Sequence, residues 1–276
     1  MFRFAKRAFF AAMLAGVAMP AFAADIMEPP IVEAPPPVAY EEPSYGAWYI
    51  RGDVDYHWSD LGGADYITYG PPPGTGTFDS TDLRGAMSIG AGVGYQVTKY
   101  FRTDLTGDYW FESDFDGQTS GTCGGLPCVS SDSSSYSAFV LLANAYVDLG
   151  TYSGFTPYVG AGIGGAHVKW DTLRNTVDGI TTEHEGADNW RFAWALMAGA
   201  SYCLTSNLQL DGGYRYTNIS KGRMFEYAPV AGPGFDGGFD VHEVRAGLRY
   251  SFGGANPNCA EPVVAYEPPP VEPVYK

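Results

Sequence analysis

Eight stretches of the chain alternate apolar and polar side chains with a period of two: residues 48–59, 86–97, 101–112, 138–149, 157–170, 190–204, 208–217 and 241–252. Successive side chains of a β-strand point to opposite faces, so each stretch describes a strand with one apolar and one polar face. In the first, Trp48, Ile50, Gly52, Val54, Tyr56 and Trp58 oppose Tyr49, Arg51, Asp53, Asp55, His57 and Ser59. The sixth has the strongest apolar face, with Trp190, Phe192, Trp194 and Leu196 opposite Arg191. The fifth is glycine-rich and its parity is less clean, which predicts a bulge near Gly164 and Gly165. Alternation does not say which face meets solvent.

The connections do. After the second, fourth and sixth stretches the chain turns briefly, at 98–100, 150–156 and 205–207. After the first, third, fifth and seventh it runs through long polar segments, 60–84, 113–137, 171–189 and 218–240. Short turns at one end and long loops at the other mark a transmembrane barrel, whose closure leaves no sheet edge unpaired in lipid. The expected fold is all-β, an eight-stranded antiparallel transmembrane β-barrel over residues 47–252. Its turns lie in the periplasm and its loops outside the cell. Trp48, Trp58, Tyr100, Phe101, Tyr109, Trp110, Trp170, Trp190, Tyr250 and Phe252 fall near strand ends, where such barrels carry aromatic girdles.

Export follows from the first residues. Arg3, Lys6 and Arg7 precede an apolar run over 8–19 and the small-x-small pattern Ala21-Phe22-Ala23, so residues 1–23 read as a signal peptide. The run is short of the roughly 20 residues a spanning helix needs. Residues 24–46 and 253–276 are proline-rich, and proline lacks the amide hydrogen that helices and ladders use. They read as extended N- and C-terminal periplasmic tails, as spacers or, alternatively, as contacts with the cell wall.

Parity turns Arg51, Asp53 and Asp55 of the first strand inward, with Arg102, Asp104 and Asp108 of the third, Asp211 and Arg215 of the seventh, and Glu243, Arg245 and Arg249 of the eighth. Eight strands enclose a space only about wide enough for side chains. Unpaired charge there is expensive, so a packed ion network is expected, with Arg245 and Arg249 reaching Asp53, Asp55 and Asp211.

With Lys+Arg 16 against Asp+Glu 31 and a net charge of −15, nucleic acid is not expected as a partner. Catalytic signatures are absent too: no G-x-S-x-G, H-E-x-x-H or P-loop occurs. His57 faces inward and His242 outward, and His184 lies in an acidic Glu183-His184-Glu185 run read as solvated loop rather than cation site. Neither enzyme activity, nor a catalytic residue, nor a cofactor, nor a metal is expected. The four cysteines suit an oxidising compartment. Cys123 and Cys128, in CGGLPC, predict a loop disulfide. Cys203 and Cys259 fall at the periplasmic rim and predict a second, pinning the C-terminal tail across the opening as a partial plug.

GAWYIRGDVDYHW at 46–58, TPYVGAGIGGA at 156–166, LQLDGGYRYTNI at 208–219 and EVRAGLRYSF at 243–252 resemble the small outer-membrane barrel proteins of alphaproteobacteria, the opacity-type surface antigens of the porin family. The resemblance implies an outer-membrane location and a structural, surface-antigen role. A narrow diffusion porin for small solutes and a lipid-modifying or proteolytic barrel enzyme are the alternatives. Partners in that setting are outer-membrane lipids and lipopolysaccharide, and during biogenesis periplasmic chaperones and the barrel-assembly machinery.

Overall fold

A computed structural model describes residues 46–70, 72–228, 231–253, 256, 258 and 259; residues 1–23, expected to be a signal peptide, and most of the two proline-rich segments lie outside the described residues. Regular structure among the described residues is all β. Eight long strands carry the fold: β1 (Ala47–Leu61), β2 (Ala86–Gln96), β3 (Phe101–Gln118), β4 (Ser131–Asp148), β5 (Phe155–Trp170), β6 (Asp188–Cys203), β7 (Leu208–Ile219) and β8 (Phe239–Ser251). Each pairs antiparallel with the next, and β8 pairs back onto β1, closing the barrel. The register brings inward side chains to common levels. Arg51 lies between Arg249 of β8 and Gly92 of β2, and Asp55 between Arg245 and Ser88.

The apolar faces point outward, and Trp48, for instance, is 59% exposed. A continuous apolar surface of this kind suits lipid, and the closed ladder leaves no backbone group unpaired against it. At the short-turn end, threonine shapes two of the three turns. Thr98 Oγ1 accepts from the Tyr100 and Phe101 amides at 3.2 and 3.0 Å, and Thr205 Oγ1 from those of Asn207 and Leu208 at 3.3 and 3.0 Å. These are side-chain turns of the kind hydroxyl residues make.

The structure corrects four expectations. Both registers of β5 run unbroken past Gly164 and Gly165, so no bulge occurs there. The bulge lies instead in β3, between Trp110 and Ser113, leaving Phe111 and Glu112 both exposed and taking Glu112 off the inward face. Trp110 and Trp170 leave the aromatic girdle, because their parity turns them into the barrel. Finally, the long segments are built rather than irregular. Strands 64–68, 74–77, 222–225 and 231–236 form a four-stranded sheet that joins the first and fourth loops. Leu173–Val177 pairs with Ile180–His184 and with β4, while Ser80–Leu83 pairs with β3.

Candidate functional site

The inward face is the chemically distinctive part of the molecule, and it is filled in layers. All eleven charged residues assigned inward by parity are buried. Glycines make the room: a Cβ on Gly90 would strike the Asp108 carboxylate, and one on Gly247 the Asp53 carboxylate.

At the short-turn mouth, Asn256 enters behind β8. Its amide donates to Ser206 O at 2.7 Å, and its side-chain Nδ2 donates to Gln209 Oε1 and Ser251 Oγ at 3.2 and 3.3 Å. Arg249 donates to Gln209 Oε1 at 2.9 Å and to Ser201 Oγ at 3.0 Å, and lies 3.5 Å from Asp211. Arg102 pairs with Asp148 at 3.0 Å while its guanidinium sits over the Tyr146 and Tyr158 rings, 4.0 and 4.6 Å from their centroids. The faces of those rings are electron-rich and attract a cation, most strongly where water is excluded.

Above this, Arg51 contacts Asp53 at 2.7 Å and Asp104 at 3.4 Å. Arg245 contacts Asp53, Asp55 and Asp108 at 3.2, 3.2 and 3.1 Å. Arg215 donates to Asp108 Oδ2 at 2.8 Å and to both carboxylate oxygens of Glu243. Because β3 is not a neighbour of β7 or β8, the pairs of Asp108 with Arg215 and Arg245 cross the bore. The structure thus joins Arg51, Asp53, Asp55, Asp104, Asp108, Arg215, Glu243 and Arg245 in one chain of contacts, and pairs Arg249 with Asp211. Arg102 stays apart from the other ten expected residues and takes Asp148 instead.

Toward the outer face the interior turns aromatic. Tyr136, Trp170 and Phe239 stack on one another with centroids 4.9–5.9 Å apart, Phe115 meets Trp170 edge-on at 5.6 Å, and Trp110 stacks on His57 at 4.9 Å. Arg191 pairs with Asp236 at 2.6 Å, tying β6 to the fourth loop, and Trp170 Nε1 donates to the same carboxylate at 3.1 Å. Sequence reasoning missed Asp148, Arg191 with Asp236, and this aromatic layer. Inward parity at Asp148, Arg191, Trp110 and Trp170 carried the signal for four of these residues. Asp236 sits in a loop and has no such signal.

Above the aromatic layer the loops enclose a cup of about 230 Å³. His184 lines it and is only 5% exposed, so it is buried rather than solvated as its acidic neighbours suggested. Burial lowers its pKa below the ordinary imidazole value. Asp132 also lines the cup and accepts from Ser130 Oγ and Asn175 Nδ2; burial raises its pKa despite those bonds. Of the other three histidines, His57 is inside the barrel wall, His167 packs against Trp190, and His242 sits outside against Trp58, Tyr214 and Tyr216. Among the described residues, no group of three or more His, Cys, Asp or Glu side chains could hold a metal ion.

Both cysteine pairs are bonded. Cys123–Cys128 closes the hairpin of strands 120–123 and 126–129, with Cα atoms 5.7 Å apart. Cys203–Cys259 joins β6 to the segment after β8, with Cα atoms 5.6 Å apart, beside Asn256 and Asn258, which are buried.

The family model of the outer membrane protein beta-barrel domain matches residues 9–252. A protein of Brucella abortus (strain 2308) is 39% identical over 269 residues, covering 84% of this chain and 93% of its own. Outer membrane protein PagN of Salmonella typhimurium is 30% identical over 142 residues, 50% of this chain and 59% of its own. Among solved structures, Neisserial surface protein A superposes with a TM-score of 0.46 at 17% identity, covering 74% of this chain and 97% of its own. With the family model spanning most of the sequence and the strands closed on themselves with an apolar exterior, the chain belongs to the outer membrane protein beta-barrel domain family and is an outer-membrane barrel.

Proposed function

We propose that the protein is a closed barrel with a structural, surface-antigen role: it anchors interlocked acidic loops on the cell surface and does not conduct solutes. The observation that carries this reading is the stack of filled layers along the bore. A solute entering from the periplasm meets Asn256 and Arg249, then the Arg215–Asp108 crossing, then Trp170 and Phe239. Each of the segments 60–84, 113–137, 171–189 and 218–240 carries more acidic than basic residues, so the displayed surface is negative. The outward aromatic and aliphatic belt supports lipid and lipopolysaccharide as its surroundings.

The same proposal takes residues 1–23 as the export signal. It takes 24–46 and 253–276 as periplasmic tails serving as spacers or cell-wall contacts, and assigns delivery to periplasmic chaperones and the barrel-assembly machinery. The placement of His57 and His242 on opposite sides of the wall speaks against their joint use in catalysis.

A deletion strain tests the role. Loss of the protein should raise detergent sensitivity, with rescue by the wild-type gene and unchanged uptake of small solutes. Slowed solute uptake with an intact envelope would favour the narrow porin instead.

A further inference from the structure

We infer that the outer cup is a binding site for a small organic cation in which an ammonium group is joined to an aromatic ring. All four surface loops contribute to it: Tyr66 and Phe78 from the first, Ser130 and Asp132 from the second, His184 from the third and Phe225 from the fourth. About 230 Å³ is ample for one aromatic ring, since a cavity of about 150 Å³ takes up benzene.

The lining carries two kinds of chemistry. Phe78 meets Tyr66 at 5.9 Å and Phe225 at 6.4 Å edge to face, an aromatic cluster of the kind that attracts both an aromatic group and a cation. The lining also holds the buried Asp132 carboxylate, which accepts from the Ser130 hydroxyl and the Asn175 amide, with no Lys or Arg among the residues lining the cup. A buried carboxylate without a cationic partner is costly, and an ammonium would relieve that cost. The raised pKa of Asp132 has the same origin, since burial outweighs its hydroxyl, amide and imidazole neighbours. A second unmet group lies beside it. His184 is packed edge-on against Phe225 at 5.0 Å, and its buried Nδ1 has no partner, so it offers an acceptor to an N–H group. An anionic ligand would find no charged donor here. The inference concerns the cup alone and stands or falls independently of whether the bore conducts.

Calorimetric titration of the full chain, refolded in detergent micelles near pH 7.5, tests it with 2-phenylethylamine as probe and toluene and 3-phenylpropionate as comparisons. The amine should bind saturably at one site, with the carboxylate and the neutral hydrocarbon each at least roughly tenfold weaker. Asp132→Asn should weaken the amine by roughly tenfold, and Thr182→Trp, which places an indole in the cup, should abolish binding while heat-modifiable gel migration is retained. Equal binding of the three probes, absence of saturable amine binding, or amine binding unaffected by both variants would overturn the assignment.

Discussion

Arg215 shows how fully one buried cation is committed in this lumen. It holds Asp108 from across the bore and Glu243 from the adjacent strand, and Thr217 Oγ1 donates to Glu243 as well. Arg215→Met leaves Glu243 buried without its cation and Asp108 with Arg245 alone, and breaking a buried pair in this way typically costs about 3–5 kcal/mol. Urea unfolding followed by tryptophan fluorescence should therefore shift to markedly lower denaturant, with partial recovery when Asp108→Asn and Glu243→Gln are added. Gly247→Ala places a methyl against the Asp53 carboxylate and should cost about 1–3 kcal/mol in the same assay. The inward set was legible from parity because a strand offers only two faces. The partners were not. Whether Asp108 meets an arginine on β7 or on β1 depends on strand stagger and on the curvature of the closed sheet, which a one-dimensional alternation does not encode.

At the scale of elements, the outer hairpin Leu173–Val177 with Ile180–His184 carries a pH response. Burial lowers the pKa of His184 below its ordinary 6.5, so the folded hairpin favours the neutral ring. That contribution is complete above pH 6.5 and is lost as pH falls toward the lowered value, because protonation then favours the open form. Asp132, raised from 3.8, acts oppositely and favours the closed form in acid. Amide exchange across 173–184, corrected for intrinsic rates, should accelerate between pH 7 and pH 5 in the wild type relative to His184→Gln. An equal acceleration in both would remove His184 from the account. At the other end, Cys203–Cys259 closes a sequence separation of 56 residues, for which chain entropy gives up to about 4 kcal/mol. Cys259→Ser should lower stability toward urea and speed exchange at Asn256, while leaving the outer loops protected.

The same scale shows where sequence periodicity stopped being informative. Strands facing lipid must alternate cleanly, so six of the eight were read within two residues at each end, whereas β3 runs six residues past and β4 begins seven residues before the stretch read from alternation, in the part beyond the lipid face. The loop strands have no lipid face: Gly74–Thr77 reads GTGT and Ser120–Cys123 reads SGTC, patterns that look like irregular polar chain. The bulge at Phe111 and Glu112 also gave no warning, because an aromatic and a charged residue fit either parity beyond the membrane edge.

For the whole molecule, topology followed from the alternation of short turns and long loops, and closure of the sheet from the requirement that lipid-facing backbone be fully paired. The vertical division of the bore was less accessible. Inward Trp110 and Trp170 look like girdle residues until closure places them above the ion pairs. Closure of the bore by ions below and rings above is the central claim, and planar-bilayer recording on the purified, oxidised full chain tests it most directly. The account predicts insertion without steady conductance steps, both in the wild type and in Cys259→Ser, because the ion and aromatic layers remain when the tail is released. Reproducible ohmic steps of the size of a wide porin from the wild-type protein would contradict it.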